Sequence, residues 1–397
     1  MLSELVSKMA ASKTMEIAAK AIALKLMGES IIDLSVGEPD FPTPQKIKDA
    51  ACKAIAENKT KYTLNQGLEE LRSAVCTRFK IDHGVNYKPD EIIVSTGAKQ
   101  VLFNAILAVV NPGDEVIIPI PYYVSYPEMV KVAGGIPLFI ETSEEQSFKI
   151  SPEQLQNTIT NKTRLIVLCS PSNPTGAAYT KNELKALSEI IIKNNLLVII
   201  DEIYNKLVYD GFEFTCLPSL SEEIKKRTIL VNGVSKTYAM TGWRIGYAAA
   251  EKSFINAMNK IQSHNTSNAA TISQYAALEA LTGPQDEVEQ MRKQFEERRN
   301  YFYDRINSID GISVRKPEGA FYLFVNIKDL LNKKAGDEVV KSSADFALKL
   351  LEKKKIVTVP GSAFGAEGYV RITFANSIAK LERAAVGIED FRAGISY

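Results

Sequence analysis

From about residue 91 the chain alternates short apolar runs with helix-length segments, and this alternation restricts the fold more than any other feature. The runs fall at 91–95, 115–119, 164–169, 196–200, 228–232 and 245–249. Each has the length of a strand. Strands separated by helices cannot pair as hairpins; they give a mostly parallel sheet covered on both faces. The run 196–200 reads Leu-Leu-Val-Ile-Ile, so it is expected to be buried on both faces. The predicted class is α/β.

Other segments fill in around this sheet. Residues 31–36 read as a short strand, and helices are expected over 45–57, from about 96 through 110, and near 252–263 and 268–281. A long charged helix over 284–309 is expected to bridge two domains. Beyond it lies a smaller α/β unit, with strands near 312–315, 321–326, 356–359 and 369–374 and helices near 342–353 and 377–391. With 397 residues, 45% of them hydrophobic, the chain can bury a large core and is expected to form two domains.

Composition removes several classes of function. The net charge is +1 and no long basic run occurs, so nucleic acid and anionic membrane are not expected partners. The longest apolar runs are strand-sized, far short of a membrane span. Residues 1–26 read as an amphipathic helix in which Lys8, Lys13, Glu16 and Lys20 interrupt any signal-peptide core. Cys52, Cys76, Cys169 and Cys216 form no CxxC pair, which points to a reducing cytoplasm. His83 and His264 lie in no metal-ligand or triad motif; that counts against zinc and histidine-based hydrolysis, and both are expected at the surface or the core edge.

Several turns carry chemistry-bearing residues. Ser235-Lys236-Thr237 follows the 228–232 run, and Arg244 comes eight positions after the lysine. Burial and a nearby cation would lower the ammonium pKa and free a nucleophilic amine; a solvated loop lysine is the alternative. Asp201 ends the apolar run 196–200, where open α/β sheets bind ligands, or it caps a helix. Thr96-Gly97-Ala98-Lys99 opens a helix and either seats an anion on its N-terminus or makes a plain tight turn. Tyr122, Tyr123 and Tyr126 stand at a strand end, where core packing is the commoner fate. Arg371 lies in the apolar run 369–374, and a buried arginine requires an anionic partner.

Taken together, GEPDFPTP (37–44), KYTLNQG (61–67), NPTG (173–176), DEIY (201–204), SKTYAMTGWRIGY (235–247) and GYVRITF (368–374) resemble, in order and interval, the class I aminotransferases. This is the aspartate aminotransferase family of pyridoxal-phosphate enzymes. The matches run from Ser12 to Arg371, and Lys99 places the chain with the branch that uses a lysine to read substrate. The resemblance implies pyridoxal-phosphate fold type I: a large domain with a mostly parallel sheet covered by helices, and a small α/β domain built from both chain ends. The corresponding boundaries are 1–44 (N-terminal part of the small domain), 45–290 (large cofactor-binding domain) and 291–397 (C-terminal part of the small domain). It further implies a cytoplasmic homodimer with shared active sites.

The resemblance also assigns roles. Lys236 would carry pyridoxal 5'-phosphate as an imine and then serve as the base, with Asp201 facing the ring nitrogen and Tyr204 and Asn173 reaching the phenolic oxygen. Tyr123 would stack on the ring, a position held by tryptophan in many relatives, which puts the stacking strength and cofactor electronics in question. Gly97, Ala98, Lys99, Ser235, Arg244 and a neighbour's Tyr62 would surround the phosphate. Arg371 would bind the α-carboxylate, with the Gly37 backbone nearby. Lys99 would pair the distal carboxylate of a dicarboxylic substrate, or else contact only phosphate or solvent. Ser12 and Thr14 would close over the substrate, and Lys13 would add attraction for a prephenate carboxylate. The implied reaction moves an amino group between L-aspartate and 2-oxoglutarate through a pyridoxamine phosphate intermediate. Prephenate or aromatic transamination is the main alternative; a lyase of the same fold and a non-catalytic pyridoxal-phosphate-binding protein are further ones.

Overall fold

A computed structural model of the chain describes residues 15–336 and 338–396. In chain order the strands begin with β1 (Ile32–Asp33), β2 (Ile92–Thr96), β3 (Glu115–Ile120), β4 (Ile136–Glu141) and β5 (Thr163–Cys169). β6 (Leu197–Asp201), β7 (Thr228–Gly233) and β8 (Ile245–Ala249) follow. One sheet holds seven of these in the order β2-β8-β7-β6-β5-β3-β4. β8 runs antiparallel to both neighbours, and every other adjacent pair is parallel.

The two faces of this sheet pack into two separate cores, and the sequence sets which residue goes where. Ile92, Val94, Ile166, Leu168, Val198 and Ile200 belong to one cluster. Their chain neighbours Ile93, Leu165, Val167 and Ile199 belong to the other. This is the period-two alternation of a strand, with both faces apolar because helices cover both. Ile199 is fully buried, and truncating such a side chain to alanine costs roughly 2–5 kcal/mol. The edge strand β4 differs: Ile136 and Phe139 are exposed, so its sequence carries a weaker signal.

The remaining strands are β9 (Ser313–Val314), β10 (Tyr322–Asn326), β11 (Lys334–Ala335), β12 (Glu338–Val339), β13 (Ile356–Val357), β14 (Val359–Pro360), β15 (Tyr369–Thr373) and β16 (Ile395–Ser396). β14-β15-β10-β9 form a four-stranded antiparallel sheet, and β12-β11-β16 a three-stranded one. Among the described strands β1 pairs only with β13, so residues near the start of the chain are tied to residues near its end. The core around β10 and β15 includes Leu34, Phe302, Phe321 and Leu381. The helix Asp286–Asn307 serves both bodies of structure: Val288 and Met291 pack beneath the large sheet, while Phe295, Phe302 and Ile306 pack in the β10–β15 core.

Two local expectations are corrected. The run 356–359 is not one strand. Asp33 pairs with Val357 and Arg371 with Val359, so the chain changes sheets at Thr358. The helix Glu69–His83 was not anticipated from its sequence. Its inner face includes Arg72, which bonds the carbonyls of Gly67 and Pro89 instead of packing as an apolar side chain, and this dilutes the helical periodicity. The expected N-terminal helix is seen from Met15 to Leu26; its preceding residues, with Ser12, Lys13 and Thr14, lie outside the described residues.

Candidate active site

The carboxyl ends of the parallel strands meet at one edge of the large sheet. β5, β6 and β7 are in register there, with Cys169 beside Asp201 and Asp201 beside Val231. The loops leaving these strands line a cavity of about 480 Å³, within the range of small-molecule sites. Its wall is completed from the other side by Ser35, Gly37, Tyr322, Thr358, Phe364 and Arg371. The site therefore lies between the large sheet and the β10–β15 sheet.

Lys236 emerges from the turn after β7, and its Nζ donates to the carbonyl of Gly37 at 2.6 Å. Burial pulls its pKa down to about 8, with Arg371 and Arg244 adding to the shift and Glu38 and Asp201 opposing it. A buried amine whose pKa lies near physiological pH can shed its proton readily and serve as nucleophile and base. Asp201 caps no helix. Its Oδ2 accepts from the Tyr126 hydroxyl at 2.9 Å and its Oδ1 from the Ile203 N–H at 3.2 Å. Burial raises its pKa to about 6, against the pull of those donors and of Lys236.

Arg371 points into the cavity from β15. Its Nη1 donates to Asn173 Oδ1 at 2.9 Å and its Nη2 to the Ser35 carbonyl at 2.6 Å, while Nε is buried with no partner. Its guanidinium lies over Tyr322 at 4.3 Å and near Phe364 at 5.2 Å. Among the described residues no carboxylate pairs with it, so none of them supplies the anionic partner expected for a buried arginine. Tyr204 and Tyr322 meet hydroxyl to hydroxyl at 3.0 Å.

Opposite these groups, Gly97 precedes the helix Ala98–Val109 with φ of 81°. A Cβ there would fall 2.3 Å from Nη2 of Arg244. Gly246 is equally constrained, since its Cβ would fall 2.2 Å from the Ala98 nitrogen. The two glycines let the helix N-terminus, β8 and the Arg244 guanidinium close on one another, and Ser235 also lines the cavity. Free helix N–H groups, a hydroxyl and a guanidinium make a seat for a doubly charged anion. Lys99 lines the cavity too, its Nζ 5.5 Å from the Tyr123 ring.

The structure thus brings together Gly37, Ala98, Lys99, Tyr123, Asn173 and Asp201 with Tyr204, Ser235, Lys236, Arg244 and Arg371, and puts Gly97 directly behind Arg244. It does not bring Tyr62 to the cavity of its own chain; that ring is 92% exposed beside Leu64, also exposed. Ser12 and Thr14 lie outside the described residues. Among the neighbours not foreseen, Ser35 enters through a backbone carbonyl, which no sequence pattern marks, and Tyr126, Tyr322 and Phe364 are aromatics that no motif singles out. Of the two histidines, His264 is exposed, while His83 is half-buried with its Nε2 3.0 Å from the Asn205 side-chain nitrogen.

Comparison with known proteins places this architecture. Residues 29–388 match the family model described as aminotransferase class I and II. An aspartate aminotransferase of Bacillus sp. (strain YM-2) is 48% identical over 98% of this chain and 99% of its own. An aspartate/prephenate aminotransferase of Cereibacter sphaeroides is 44% identical, over 100% of this chain and 99% of its own. The crystal structure of the aspartate aminotransferase from Rhizobium meliloti superposes with a TM-score of 0.97 at 42% identity, covering all of both chains.

Proposed function

The chain belongs to the aminotransferases of class I and II, and from that premise we propose that it transfers the amino group of L-aspartate to 2-oxoglutarate with pyridoxal 5'-phosphate held on Lys236. One observation carries this function. Lys236, Asp201 and Arg371 converge on one cavity, and Arg371 has only neutral partners there among the described residues.

The residues present fit the cofactor. The seat formed by the helix start at Ala98, Ser235 and Arg244 suits its phosphate, and Asp201 is the buried carboxylate that would face its ring nitrogen. Tyr123 would cover one ring face, and Asn173 and Tyr204 would approach its phenolic oxygen. When bound, the cofactor supplies a carbonyl carbon and an electron-accepting ring. Lys236 would hold that carbon and later move a proton to and from the substrate Cα. Arg371 would grip the α-carboxylate through its fork and so fix which Cα bond stands across the ring. Lys99 would pair the distal carboxylate.

The same reading divides the chain at 1–44, 45–290 and 291–397, supported by the separate cores around the large and β10–β15 sheets. It makes the enzyme a homodimer in which the partner lends its exposed Tyr62 to the phosphate. It places the enzyme in the cytoplasm, in keeping with four free cysteines and with no described helix long and apolar enough to cross a membrane.

A second reading, use of prephenate or aromatic substrates, is favoured by the apolar part of the wall, where Leu102, Val124, Val359 and Phe364 lie, and by the name of the Cereibacter relative. The test is spectroscopic. Aspartate alone should change the absorbance of the holoenzyme, and 2-oxoglutarate should reverse it. No change with any amino acid sinks the transferase assignment; a faster reversal by prephenate than by 2-oxoglutarate, or a faster change with aromatic amino acids than with aspartate, favours the second reading.

A further inference from the structure

Tyr126 opens the helix Tyr126–Val132 with its side chain almost wholly buried. Its hydroxyl donates to one oxygen of Asp201 at 2.9 Å, and the other oxygen is held by a longer bond from the Ile203 backbone at 3.2 Å. Its ring stands edge-on to Tyr123, with centroids 5.4 Å apart and planes at 79°. One side chain therefore touches both the carboxylate that would face the cofactor's ring nitrogen and the aromatic ring that would cover the cofactor. Given the function proposed above, we propose that Tyr126 is a positioning residue: its hydroxyl fixes the plane of the Asp201 carboxylate and keeps it anionic, and its ring sets the tilt of Tyr123.

The physical grounds lie in what surrounds Asp201. Burial drives its carboxyl toward the neutral form, and only donors and cations can oppose that. Those on hand are the Tyr126 hydroxyl, the Ile203 N–H and, at longer range, Lys236. Cys169, on the neighbouring strand, is a thiol whose pKa is raised by burial, so it stays neutral and adds no competing negative charge. Glu202 follows Asp201 in the chain, and burial raises its pKa to about 8, so it adds no competing negative charge at neutral pH. Without the tyrosine hydroxyl, Oδ2 would have no hydrogen-bond donor in this chain among the described residues. The carboxylate would be free to turn and easier to protonate, and a ring nitrogen facing it would lose its anionic partner.

Tyr126→Phe removes the hydroxyl and keeps the ring. In the holoenzyme it should weaken pyridoxal-phosphate binding about tenfold and lower kcat about 10- to 100-fold, the range for a hydrogen bond to a charged group. The pH midpoint of the Lys236-bound chromophore should fall, because less negative charge remains to favour protonation. The groups that face Lys236 and set this midpoint are Glu38, Arg371, Arg244 and Asp201, and Phe replaces none of them. A lower Tm with unmoved midpoint and affinity would mean that Tyr126 only fills space, and the proposal would fall. In an Asp201→Asn background the Phe substitution should have less than about a twofold effect; an undiminished effect also overturns it. A measurement that leaves Tyr126 in place guards against a variant that does not fold. With ζ-carbon-labelled tyrosine, a buried tyrosine resonance of the holoenzyme should shift between wild type and Asp201→Asn, and no shift refutes the bond. Wild-type protein that takes up no pyridoxal phosphate would instead defeat the proposed function.

Discussion

Arg371 and Asn173, 198 residues apart in sequence, meet at 2.9 Å with the guanidinium donating to the amide oxygen. A neutral amide holds the guanidinium in place without cancelling its charge, which leaves the cation for an incoming carboxylate. Arg371→Lys keeps the charge but loses the fork that spans Asn173, Ser35 and a carboxylate together. It should lower kcat/KM for aspartate by roughly a hundredfold or more while cofactor binding stays within about twofold. Steady-state kinetics beside a cofactor titration checks both halves; a loss confined to cofactor affinity would remove Arg371 from the substrate side.

Lys236 gives a pH signature in the apoprotein. Its folded pKa of about 8 lies below the ordinary lysine value of 10.5. Between those two values the unfolded chain holds a proton that the folded chain has released, so stability rises with pH across that window. The burial cost is present in full below about pH 8. Wild-type apoprotein should therefore gain on Lys236→Met by up to about 3 kcal/mol between pH 7 and pH 10. Urea unfolding at the two pH values measures the gap, and a constant gap would mean that the amine is not disfavoured as a cation.

Lys99 bears on substrate choice. It lines the cavity and is exposed enough to reach a ligand, yet it also approaches Tyr123 at 5.5 Å. Lys99→Ala should lower kcat/KM for aspartate at least about tenfold more than for aromatic donors, the loss expected for one charge-assisted contact. Equal losses for all donors would assign the lysine to the cofactor side.

Tyr62 tests the shared site. Its ring is 92% exposed and away from its own cavity, as expected of a side chain that completes a neighbour's site. Once subunit exchange is demonstrated, mixing Tyr62→Ala and Lys236→Ala proteins should restore activity, since hybrids regain one site with neither lesion. At even mixing about half of the dimers are hybrids with one intact site in two, so recovery approaches one quarter of wild type. Absence of recovery with both parents severely impaired would put each site within one chain.

The large sheet is legible from sequence because its inner strands are apolar on both faces and end in marked turns; Asp201 and Lys236 stand at two of those ends. The edge strand β4 and the helix Glu69–His83 are harder to read, one half-exposed and the other with an arginine on its inner face. Within the site, the family resemblance pointed to each residue that projects a distinctive group. It passed over Tyr126 and Tyr322, whose importance lies in which hydroxyl meets which neighbour, a property of tertiary geometry alone. It also passed over the break at Thr358, because Ile356-Val357-Thr358-Val359 is β-branched at every position and reads as one strand whichever sheet its parts join.

The exclusive pairing of β1 with β13 has a bearing on how the chain is made. A ribosome delivers Ile32 long before Ile356, and at usual elongation rates of roughly 5–20 residues per second the interval is on the order of tens of seconds. All seven strands of the large sheet have left the exit tunnel well before β13 is synthesised. Throughout that time β1 lacks its partner strand, and the Ser35 carbonyl has no guanidinium to receive. The nascent chain thus carries an amino-terminal strand that waits for its partner. Synonymous codon changes that slow translation late in the message would lengthen that wait.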